Sequence, residues 1–347
     1  MELNFSEYLA LFFTALIFVG VLTPLARKIA LRIEILDAPT ESHKTHKEAI
    51  PYLGGMAIVI GTCLTTYLAI LVSGQASALS LASAVLIPAV LMGVIGLVDD
   101  IKKLSPWPRF IAQNLFGLVI AVILIATRTL GSPTGNTMID VAITTLWIVG
   151  ITNSINFFDN VDGGASGTVA ISSLFLFLLS LQGGQYSIAA LSLVLTGATT
   201  GFLLWNKPPA RIYMGDAGAL FLGILIATLT LRFDPNPINL SASFALPILL
   251  LAVPILDTTV AVISRLRRRI SPFQGGQDHL SHRLMRAGFS KRQAVLSLWL
   301  ISAFYCFIAV AISNAPFDLE RVLTGIAGLI WLLMLILFLK TSDSSKN

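Results

Sequence analysis

Long apolar runs separated by short polar segments repeat along the whole chain. A membrane-spanning helix needs about 20 mostly apolar residues, and the apolar runs reach that length. The runs are continuous and do not alternate between apolar and polar positions, so they predict helices and not the strands of a membrane barrel. We therefore expect an all-α, polytopic membrane bundle of about 11 transmembrane helices. They are predicted at residues 7–27, 53–73, 79–98, 107–127, 139–158, 165–182, 186–206, 216–232, 243–264, 293–313 and 321–340.

The composition agrees with a membrane protein. Charged residues make up 12 % of the 347 residues, and residues of the apolar set make up 55 %. A soluble domain carries about 25 % charged residues, and much of its surface must face water. This balance excludes a cytosolic globular enzyme, a disordered chain and a secreted disulfide scaffold. Cys63 and Cys306 lie in apolar runs, so we interpret them as small hydrophobic residues and not as a disulfide or a metal site. Residues 1–347 are interpreted as a single integral membrane domain.

The basic residues predict how the bundle is oriented. All but three of the 23 Lys and Arg residues lie in one set of loops and helix ends, the exceptions being Arg128, Arg232 and Arg321. The positive-inside rule places the richer set in the cytoplasm. The N-terminus is then outside and the C-terminus cytoplasmic, which requires an odd number of spans. The same rule accounts for the net charge, so no nucleic-acid partner is expected.

Carboxylates on this cytoplasmic side come from regions that are far apart in the sequence. Asp99 and Asp100 end the third span, Asp216 precedes the eighth, and Asp278 lies in a loop. Between the first two regions, Asn and Asp recur at every third position, at Asn153, Asn156, Asp159 and Asp162. In a helix, this spacing puts neighbouring side chains on roughly one face. Polar side chains in register at the end of an apolar span favour a functional site, because they are costly unless they face water or a ligand.

Each acidic motif taken alone has an ordinary structural explanation. The pair Asp99–Asp100 is typical of a solvated helix end, and Asp216 fits a first-turn acid as well as it fits a metal ligand. The pattern around Asp159 also resembles a helix end followed by a turn. Together on one membrane face, however, the acids indicate a site for a divalent cation or a phosphate, since carboxylate oxygens are the ligands that Mg²⁺ prefers.

All four histidines lie in two cytoplasmic loops. The longer loop, 265–292, carries Arg265, His279, His282 and Arg283, a set suited to bind a pyrophosphate through charge-assisted hydrogen bonds. A zinc site is disfavoured, because the loop has no cysteine. The neighbouring arginine run is typical of a topology determinant that contacts anionic lipids.

Two further polar groups complete the candidates. The first cytoplasmic loop contains Lys44 and His46. Asp257 is the acid that lies clearly within a span, the predicted ninth. An acid in a membrane span needs a partner, and we expect Asp257 to pair with Arg265 or with a helix end, while a chemical role stays open.

These motifs, taken in order, resemble those of the polyprenyl-phosphate N-acetylhexosamine-1-phosphate transferase family, the superfamily of MraY, WecA and TagO. The resemblance covers about residues 20–290. It rests on Lys44, His46, Pro51, Gly54, Gly55, Asp99, Asp100, Asn153, Asn156, Asp159, Asp162, Gly163, Met214, Gly215, Asp216, Gly218, His279 and His282. Tyr52–Leu53 and the absence of a triple-histidine motif place the chain closer to the WecA and TagO branch. Departures at His43, Gly164, Ala219 and Ser281 leave the carboxylates intact but leave the sugar open.

The resemblance implies transfer of a sugar-1-phosphate, GlcNAc-1-phosphate first among the candidates, from a UDP-sugar to undecaprenyl or another polyprenyl phosphate, with release of UMP. It implies Mg²⁺, with Mn²⁺ as an alternative, bound by Asp216 first and by Asp159 or Asp100 second. Asp99, Asp100 and Asp159 form the implied catalytic set, with Asp99 at the acceptor phosphate. Direct attack and a covalent aspartyl intermediate both stay open. Substrate binding is assigned to Lys44, His46, Asn153, Asn156, Asp162, Arg265, His279, His282 and Arg283.

Two other classes of membrane protein compete with this interpretation. A transporter or flippase for a lipid-linked sugar predicts ionisable residues near the bilayer midplane and broken helices, whereas these spans are predicted to be mostly unbroken. A CDP-alcohol phosphotransferase would carry an Asp-Gly-x-x-Ala-Arg signature, which the sequence lacks. The predicted partners are a UDP-sugar, a polyprenyl phosphate and the bilayer of the plasma membrane, with the active site on the cytoplasmic face. Whether the chain forms a homodimer stays open.

Overall fold

The computed structural model describes residues 3–37, 49–74, 76–126, 134–234, 240–272 and 274–341. Within these ranges the chain forms helices and one short antiparallel strand pair. The elements are α1 (Phe5–Arg32), β1 (Leu36–Asp37), β2 (Ile50–Pro51), α2 (Gly54–Ser73), α3 (Ala76–Lys102), α4 (Pro106–Ala126), α5 (Thr137–Phe158), α6 (Gly164–Gln182), α7 (Tyr186–Asn206), α8 (Gly215–Arg232), α9 (Leu240–Leu250), α10 (Ala252–Arg267), α11 (Leu280–Arg286), α12 (Lys291–Ser313) and α13 (Phe317–Lys340).

The helical membrane bundle predicted from the apolar runs is confirmed. In the described ranges, 10 helices are long and apolar enough to cross a membrane, and a bent pair, α9 with α10, brings the number to 11. Each predicted run overlaps one of these spans. The predicted ninth run, 243–264, differs from the expectation because it is two helices that meet at 78°.

Proline explains the break between α9 and α10. Pro254 has no N–H group to donate to the carbonyl of Leu250 four residues earlier, so the helix cannot continue there. Neighbouring helices satisfy that carbonyl instead: the Ser172 hydroxyl donates to it at 2.6 Å and the Cys306 thiol at 3.8 Å. Such replacement of lost backbone bonds allows a broken helix at membrane depth.

Helix α8 forms the centre of the bundle. It packs between α3 and α5 and is buried along most of its length. Glycines allow this close approach: a Cβ atom on Gly223 would lie 2.6 Å from the Cα atom of Thr152 in α5, and one on Gly96 of α3 would clash with the Asp216 carbonyl. These contacts hold the first turn of α8 between the last turns of α3 and α5. We call this end of the bundle the acidic end, because it carries Asp99 and Asp216.

The segment before α2 also joins the acidic end. The amides of Gly54 and Gly55 donate to the carbonyls of Tyr213 and Met214 at 3.0 and 2.9 Å, and the Tyr213 amide donates to the Pro51 carbonyl at 2.9 Å. These backbone bonds place the Pro51–Gly55 motif beside the first turn of α8. Lys44 and His46, which belong to the same predicted loop, lie outside the described residues.

Candidate functional site

Asp100 caps the first turn of α8. Its carboxylate oxygens accept hydrogen bonds from the backbone amides of Asp216 and Ala217 at 2.9 and 3.1 Å. The first amides of a helix have no partner within the helix and carry its positive dipole end, so a carboxylate is favourable there. Gly215 makes this approach feasible, because it has a φ of +65° and a Cβ atom there would lie 2.5 Å from an Asp100 oxygen.

Asp99 and Asp216 share one cation, Arg109. The Nη1 atom of Arg109 donates to Asp99 Oδ2 at 2.6 Å and also contacts Asp216 Oδ2. Asp99 additionally accepts from the Leu104 amide at 2.7 Å. Two carboxylates from α3 and α8 therefore converge on one point, where the positive charge of Arg109 lies.

Arg109 is one of the basic residues from which the topology was predicted, and its place in the site was not predicted from the sequence. A signal was available in its position. Pro106 begins α4, so Arg109 lies in the first helical turn, where a positive charge opposes the helix dipole. A cation in that place is favourable only with an acidic partner, and the acids that end the preceding helix are the nearest candidates in sequence.

Asn156 and Asp159 bring α5 into the same cluster. The Asn156 amide donates to Asp216 Oδ1 at 2.7 Å. Burial, followed by the charges of Asp216, Asp100 and Asp162, raises the pKa of Asp159 well above its usual range. Burial and the neighbouring carboxylates therefore disfavour a negative charge on Asp159.

The predicted three-residue register holds only in part. Asn153 and Asn156 lie on α5, but the helix ends at Phe158, so Asp159 lies at its C-terminal cap and Asp162 in the turn that follows. Asn153 donates to Gln113 of α4 at 2.6 Å and so faces away from Asp216. A turn follows, and Gly163, with a φ of +72°, is the N-terminal cap of α6.

Asp162 supports the loop before α8. It is 5 % exposed and accepts from the Ala210 amide at 3.0 Å, with the Lys291 ammonium 3.3 Å away. Asn206 adds a second support, since it accepts from the Gly163 amide at 3.0 Å and donates to the Ile212 carbonyl at 3.0 Å. Asp162, which was predicted to bind substrate, therefore contacts the loop that precedes α8.

The residues of the histidine loop form a second cluster. His279 Nδ1 lies 2.7 Å from Asp257 Oδ2, and His279 Nε2 lies 3.2 Å from Arg265 Nη2. Arg265 in turn donates from Nε to Asp278 at 2.9 Å. The expectation that Asp257 pairs with a helix end is confirmed, because its Oδ1 atom accepts from the Leu280 amide that begins α11 at 2.7 Å.

Arg283 holds the last helix against this loop. Its Nη1 atom donates to the carbonyls of Phe338 and Thr341 at 2.7 and 2.6 Å, and its Nη2 atom donates to the Ser264 hydroxyl at 2.6 Å. The side chain is 2 % exposed. A cation at the C-terminal end of α13 is favourable for the helix dipole, so the structure places Arg283 in a stabilising position.

His282 differs from the other members of the loop. Its ring lies 6.2 Å from that of His279, and it forms no hydrogen bond within the described residues. Burial, and then the neighbouring His279, lower the pKa of His282 to about 4. The imidazole is therefore neutral at pH 7, and one nitrogen is free to accept a hydrogen bond while the other donates.

Phe157 and Asn160 connect the two clusters. The guanidinium of Arg265 lies 5.4 Å from the centre of the Phe157 ring. Phe157 directly follows Asn156 in the chain. The Ser281 hydroxyl donates to Asn160 Oδ1 at 2.5 Å. The histidine loop therefore packs on the end of α5 that also carries the acids.

An apolar groove leads along α5 to the acidic end. Its volume is about 660 Å³, and α4, α5, α10 and Pro272 line it. Met138 lies at one end of the lining and Phe157 at the other, about 28 Å apart along a helix. Gly150 lies between them with no heavy atom within 4 Å of a Cβ atom built on it. The groove is open and long enough for an extended lipid chain.

Comparisons with known proteins identify the family of this chain. The sequence profile described as glycosyl transferase family 4 matches residues 81–234. A Bacillus subtilis protein named "Probable undecaprenyl-phosphate N-acetylglucosaminyl 1-phosphate transferase" is 34 % identical over 94 % of this chain and 87 % of its own length. A decaprenyl-phosphate N-acetylglucosaminephosphotransferase of Mycolicibacterium smegmatis is 31 % identical, over 86 % of this chain and 80 % of its own. A Yersinia pestis undecaprenyl-phosphate alpha-N-acetylglucosaminyl 1-phosphate transferase is 29 % identical, over 94 % and 88 %. The chain therefore belongs to the polyprenyl-phosphate N-acetylhexosamine-1-phosphate transferase family.

Proposed function

We propose that this protein transfers GlcNAc-1-phosphate from UDP-GlcNAc to a polyprenyl phosphate and releases UMP. The observation that carries the proposal is the convergence of Asp99, Asp216 and Arg109, with Phe110, the next residue after Arg109, in the lining of an apolar groove. A carboxylate cluster suits a phosphoryl-transfer reaction, and a groove suits a lipid substrate. The names of the relatives contain undecaprenyl or decaprenyl phosphate and an N-acetylglucosamine phosphate group, which supports the acceptor and the transferred group.

The reaction exchanges one phosphorus–oxygen bond for another. An oxygen of the acceptor phosphate attacks the phosphorus that carries the sugar, and the bond from that phosphorus to UMP breaks. The acceptor phosphate has a second pKa of about 6, so it is mostly a dianion at neutral pH and needs little help from a base. Asp99 and Arg109 then act by orienting the two phosphates, since phosphoryl transfer depends on positioning and charge neutralisation. A covalent aspartyl intermediate remains the alternative.

A Mg²⁺ ion, or Mn²⁺ in its place, fits the carboxylates. Within the described residues no three acidic, histidine or cysteine groups are arranged to bind a metal ion by themselves. Mg²⁺ commonly uses one or two carboxylates together with phosphates and waters. Asp216 and Asp99, whose oxygens already meet at one cation, would supply the protein ligands, with Asp159 beside them. Asp100 fits less well, because both of its oxygens accept backbone amides. When bound, the ion neutralises charge on the transferred phosphate.

The histidine loop would bind the donor. Arg265 and Arg283 are already bonded within the loop and to α13, so we infer that they shape it. Among the four residues of this loop predicted to bind the substrate, we assign the donor contact to the neutral imidazole of His282. Lys44 and His46 remain candidates for the same substrate, as does Asn153 at the wall of the groove.

The acceptor lipid would lie in the groove along α5. Its lining is mainly apolar, which suits a polyprenyl chain, and Asn153 and Phe157 lie at the end nearest the acids. A lipid that entered from the bilayer would bring its phosphate to Arg109 without leaving the membrane. The surplus of basic residues at this end supports a cytoplasmic site in the plasma membrane, where a UDP-sugar is soluble.

The transporter alternative receives one point of support from the structure. The bent pair α9 and α10 is a broken span, as a transporter would predict. The clustered acids Asp99 and Asp216, however, lie at one end of the bundle, at the last turn of α3 and the first turn of α8. The relatives named above are transferases.

A donor screen with purified protein tests the proposal. The protein would be mixed with undecaprenyl phosphate, Mg²⁺ and one of several UDP-sugars, and UMP release would be measured. We expect release with UDP-GlcNAc, at least 100-fold less with Asp216→Asn, and unchanged release with Asp140→Asn. Asp140 is a matched control, because it is a buried acid at the other end of α5. No release with any donor would contradict the transferase assignment, and retained release in Asp216→Asn would contradict the metal assignment.

A further inference from the structure

The carboxylate of Asp257 is completely buried and contacts the beginning of α11 (Leu280–Arg286), which we call the histidine helix. One oxygen faces His279 Nδ1 at 2.7 Å, and the other accepts from the Leu280 amide at 2.7 Å. The side chain is 0 % exposed. Both oxygens of the acid are therefore used by two consecutive residues, the N-terminal cap of α11 and the first residue of that helix.

The partners of His279 determine where its proton lies. A guanidinium has five N–H donors and no acceptor. Because Arg265 Nη2 lies 3.2 Å from His279 Nε2, that nitrogen must accept. The proton of the neutral ring then lies on Nδ1, where it is donated to Asp257. The two contacts agree on one tautomer, and the second nitrogen of a histidine is commonly oriented in this way by a carboxylate.

The orientation of His279 is transmitted to the rest of the loop. Arg265, held by His279 on one side and Asp278 on the other, lies over the Phe157 ring at the end of α5. His282 is three positions along α11 from His279, so the two rings lie on one face of the helix. A rotation of His279 would therefore displace both Arg265 and the face that carries His282.

We propose that Asp257 is a positioning residue of the transferase site, which fixes the Nδ1–H tautomer of His279 and so holds Arg265 and the histidine helix in place. This inference rests on the proposed function, because the loop matters for catalysis only if it binds the donor. Asp257 itself lies behind His279 and does not touch the site. It acts through His279.

An amide at position 257 cannot replace the carboxylate. Asp257→Asn has nearly the same shape, but one of its two acceptors becomes an NH₂ donor. If that donor faces Leu280, two N–H groups oppose each other. If it faces His279, the ring must move its proton to Nε2, which then opposes the N–H of Arg265. Either arrangement loses one of the contacts that the carboxylate satisfies.

The tautomer is measurable without any assay of activity. The chain has four histidines, so a sample labelled with ¹⁵N in histidine gives few signals, and the His279→Gln variant identifies those of His279. Protonated and unprotonated ring nitrogens have distinct ¹⁵N shifts. We expect the wild-type protein, in detergent or nanodiscs at pH 7.5, to show a protonated Nδ1 and an unprotonated Nε2 at His279. In Asp257→Asn we expect the Nε2–H form or a mixture.

Kinetics test the consequence. We expect Asp257→Asn to lower kcat/KM for the UDP-sugar about 10- to 100-fold, the usual loss when a carboxylate that orients a histidine is removed. The KM for polyprenyl phosphate should change less, because Pro272 is the one described residue of this loop in the lining of the lipid groove. Asp257→Glu, which keeps the charge, should recover part of the activity. In the His279→Gln background, Asp257→Asn should cost less than twofold further, because the partner through which it acts is gone.

A merely structural role for Asp257 would give a different pattern. It would lower the amount of folded protein and would affect the KM values for both substrates alike, and its cost would persist in the His279→Gln background. The proposal is overturned if wild-type His279 carries its proton on Nε2, or if Asp257→Asn keeps donor kcat/KM within twofold. Asp140→Asn serves as the control for a buried acid, with an unchanged tautomer and activity. If the wild-type protein releases no UMP from any donor, the proposed function fails while the ¹⁵N spectra still decide the tautomer.

Discussion

Asp100, at the end of one helix, caps the helix that begins at Gly215 and carries Asp216 in its first turn. Asp100 accepts the amides of Asp216 and Ala217 at 2.9 and 3.1 Å, and this leaves the Asp216 side chain directed at Arg109 and Asn156. Acids at the end of α3 oppose the dipole of their own helix, but here Asp100 meets the positive end of α8. The two adjacent acids thus have different roles. Asp100 caps α8, and Asp99 binds Arg109, the cation that it shares with Asp216.

The contact between Asp100 and α8 requires glycine at position 215. A Cβ atom there would lie 2.5 Å from an Asp100 oxygen, so Gly215→Ala should displace the carboxylate. We expect UMP release to fall at least 10-fold, although every acid is still present. Gly74→Ala is the matched control, because Gly74 has the same φ of +65° but no atom within 4 Å. Equal losses in the two variants would mean that backbone strain is responsible and would contradict the role of the contact.

Arg109 should be essential although no acidic motif contains it. Removing its charge in Arg109→Ala leaves Asp99 and Asp216 to repel each other, and we expect UMP release to fall at least 10-fold. Arg109→Lys should retain more activity, since a single ammonium also bridges two carboxylates. Arg292→Ala, at an exposed arginine bonded to the Pro208 carbonyl, should behave as wild type. Full activity of Arg109→Ala would exclude the residue from the site.

Gly150 should control the access of the lipid to the groove. A leucine at this position would project into the open space beside α5. We expect Gly150→Leu to fold, since leucine is favoured over glycine in a helix by about 1 kcal/mol. Its KM for undecaprenyl phosphate should rise about 10-fold, and less for an acceptor too short to reach residue 150. Gly325→Leu, at another open position on α13, should leave KM unchanged. An unchanged KM in Gly150→Leu would place the lipid elsewhere.

The lowered pKa of His282 should make the free energy of unfolding depend on pH. Its pKa is about 4 in the folded protein, below the usual 6.5, so the unfolded chain binds the proton more strongly. The contribution of His282 to the free energy of unfolding is therefore fully present above pH 6.5, and it is lost as the pH drops towards 4. We expect the apparent Tm to decrease over this range and His282→Gln to decrease less. Thermal melts in detergent at pH 7, 5.5 and 4.5 measure it, and parallel curves for the two proteins would contradict the assignment.

The sequence predicted the spans well because the rule behind them is local. A helix must carry its own apolar surface across the bilayer, so each span appears as a run of about 20 residues. The break between α9 and α10 was missed because the apolar length of a run does not show whether the helix within it is continuous. Pro254 lies in an uninterrupted apolar run, and its effect depends on the Ser172 hydroxyl, which is far away in the sequence and replaces the lost bond.

The site was predictable in part. The positive-inside rule and the motifs placed Asp99, Asp100, Asp159 and Asp216 at one end of the bundle, and the structure brings them together. The register through Asp162 did not hold, because α5 ends at Phe158. Arg109 was missed, since no spacing in its own segment connects it to Asp216, which follows 107 positions later.

The sequence by itself determined the class of the protein and, to within one, the number of spans, and it predicted that the acids meet at one end of the bundle. Composition and apolar length are properties of each segment, and they need no knowledge of the neighbours. Only the tertiary structure decided which acid binds a helix amide, which faces Arg109, and that Asp257 orients His279. Those choices depend on the rotation and depth of each helix against the others. That packing is set by contacts such as Gly96 of α3 against α8 and Gly223 of α8 against α5, and no single segment contains it.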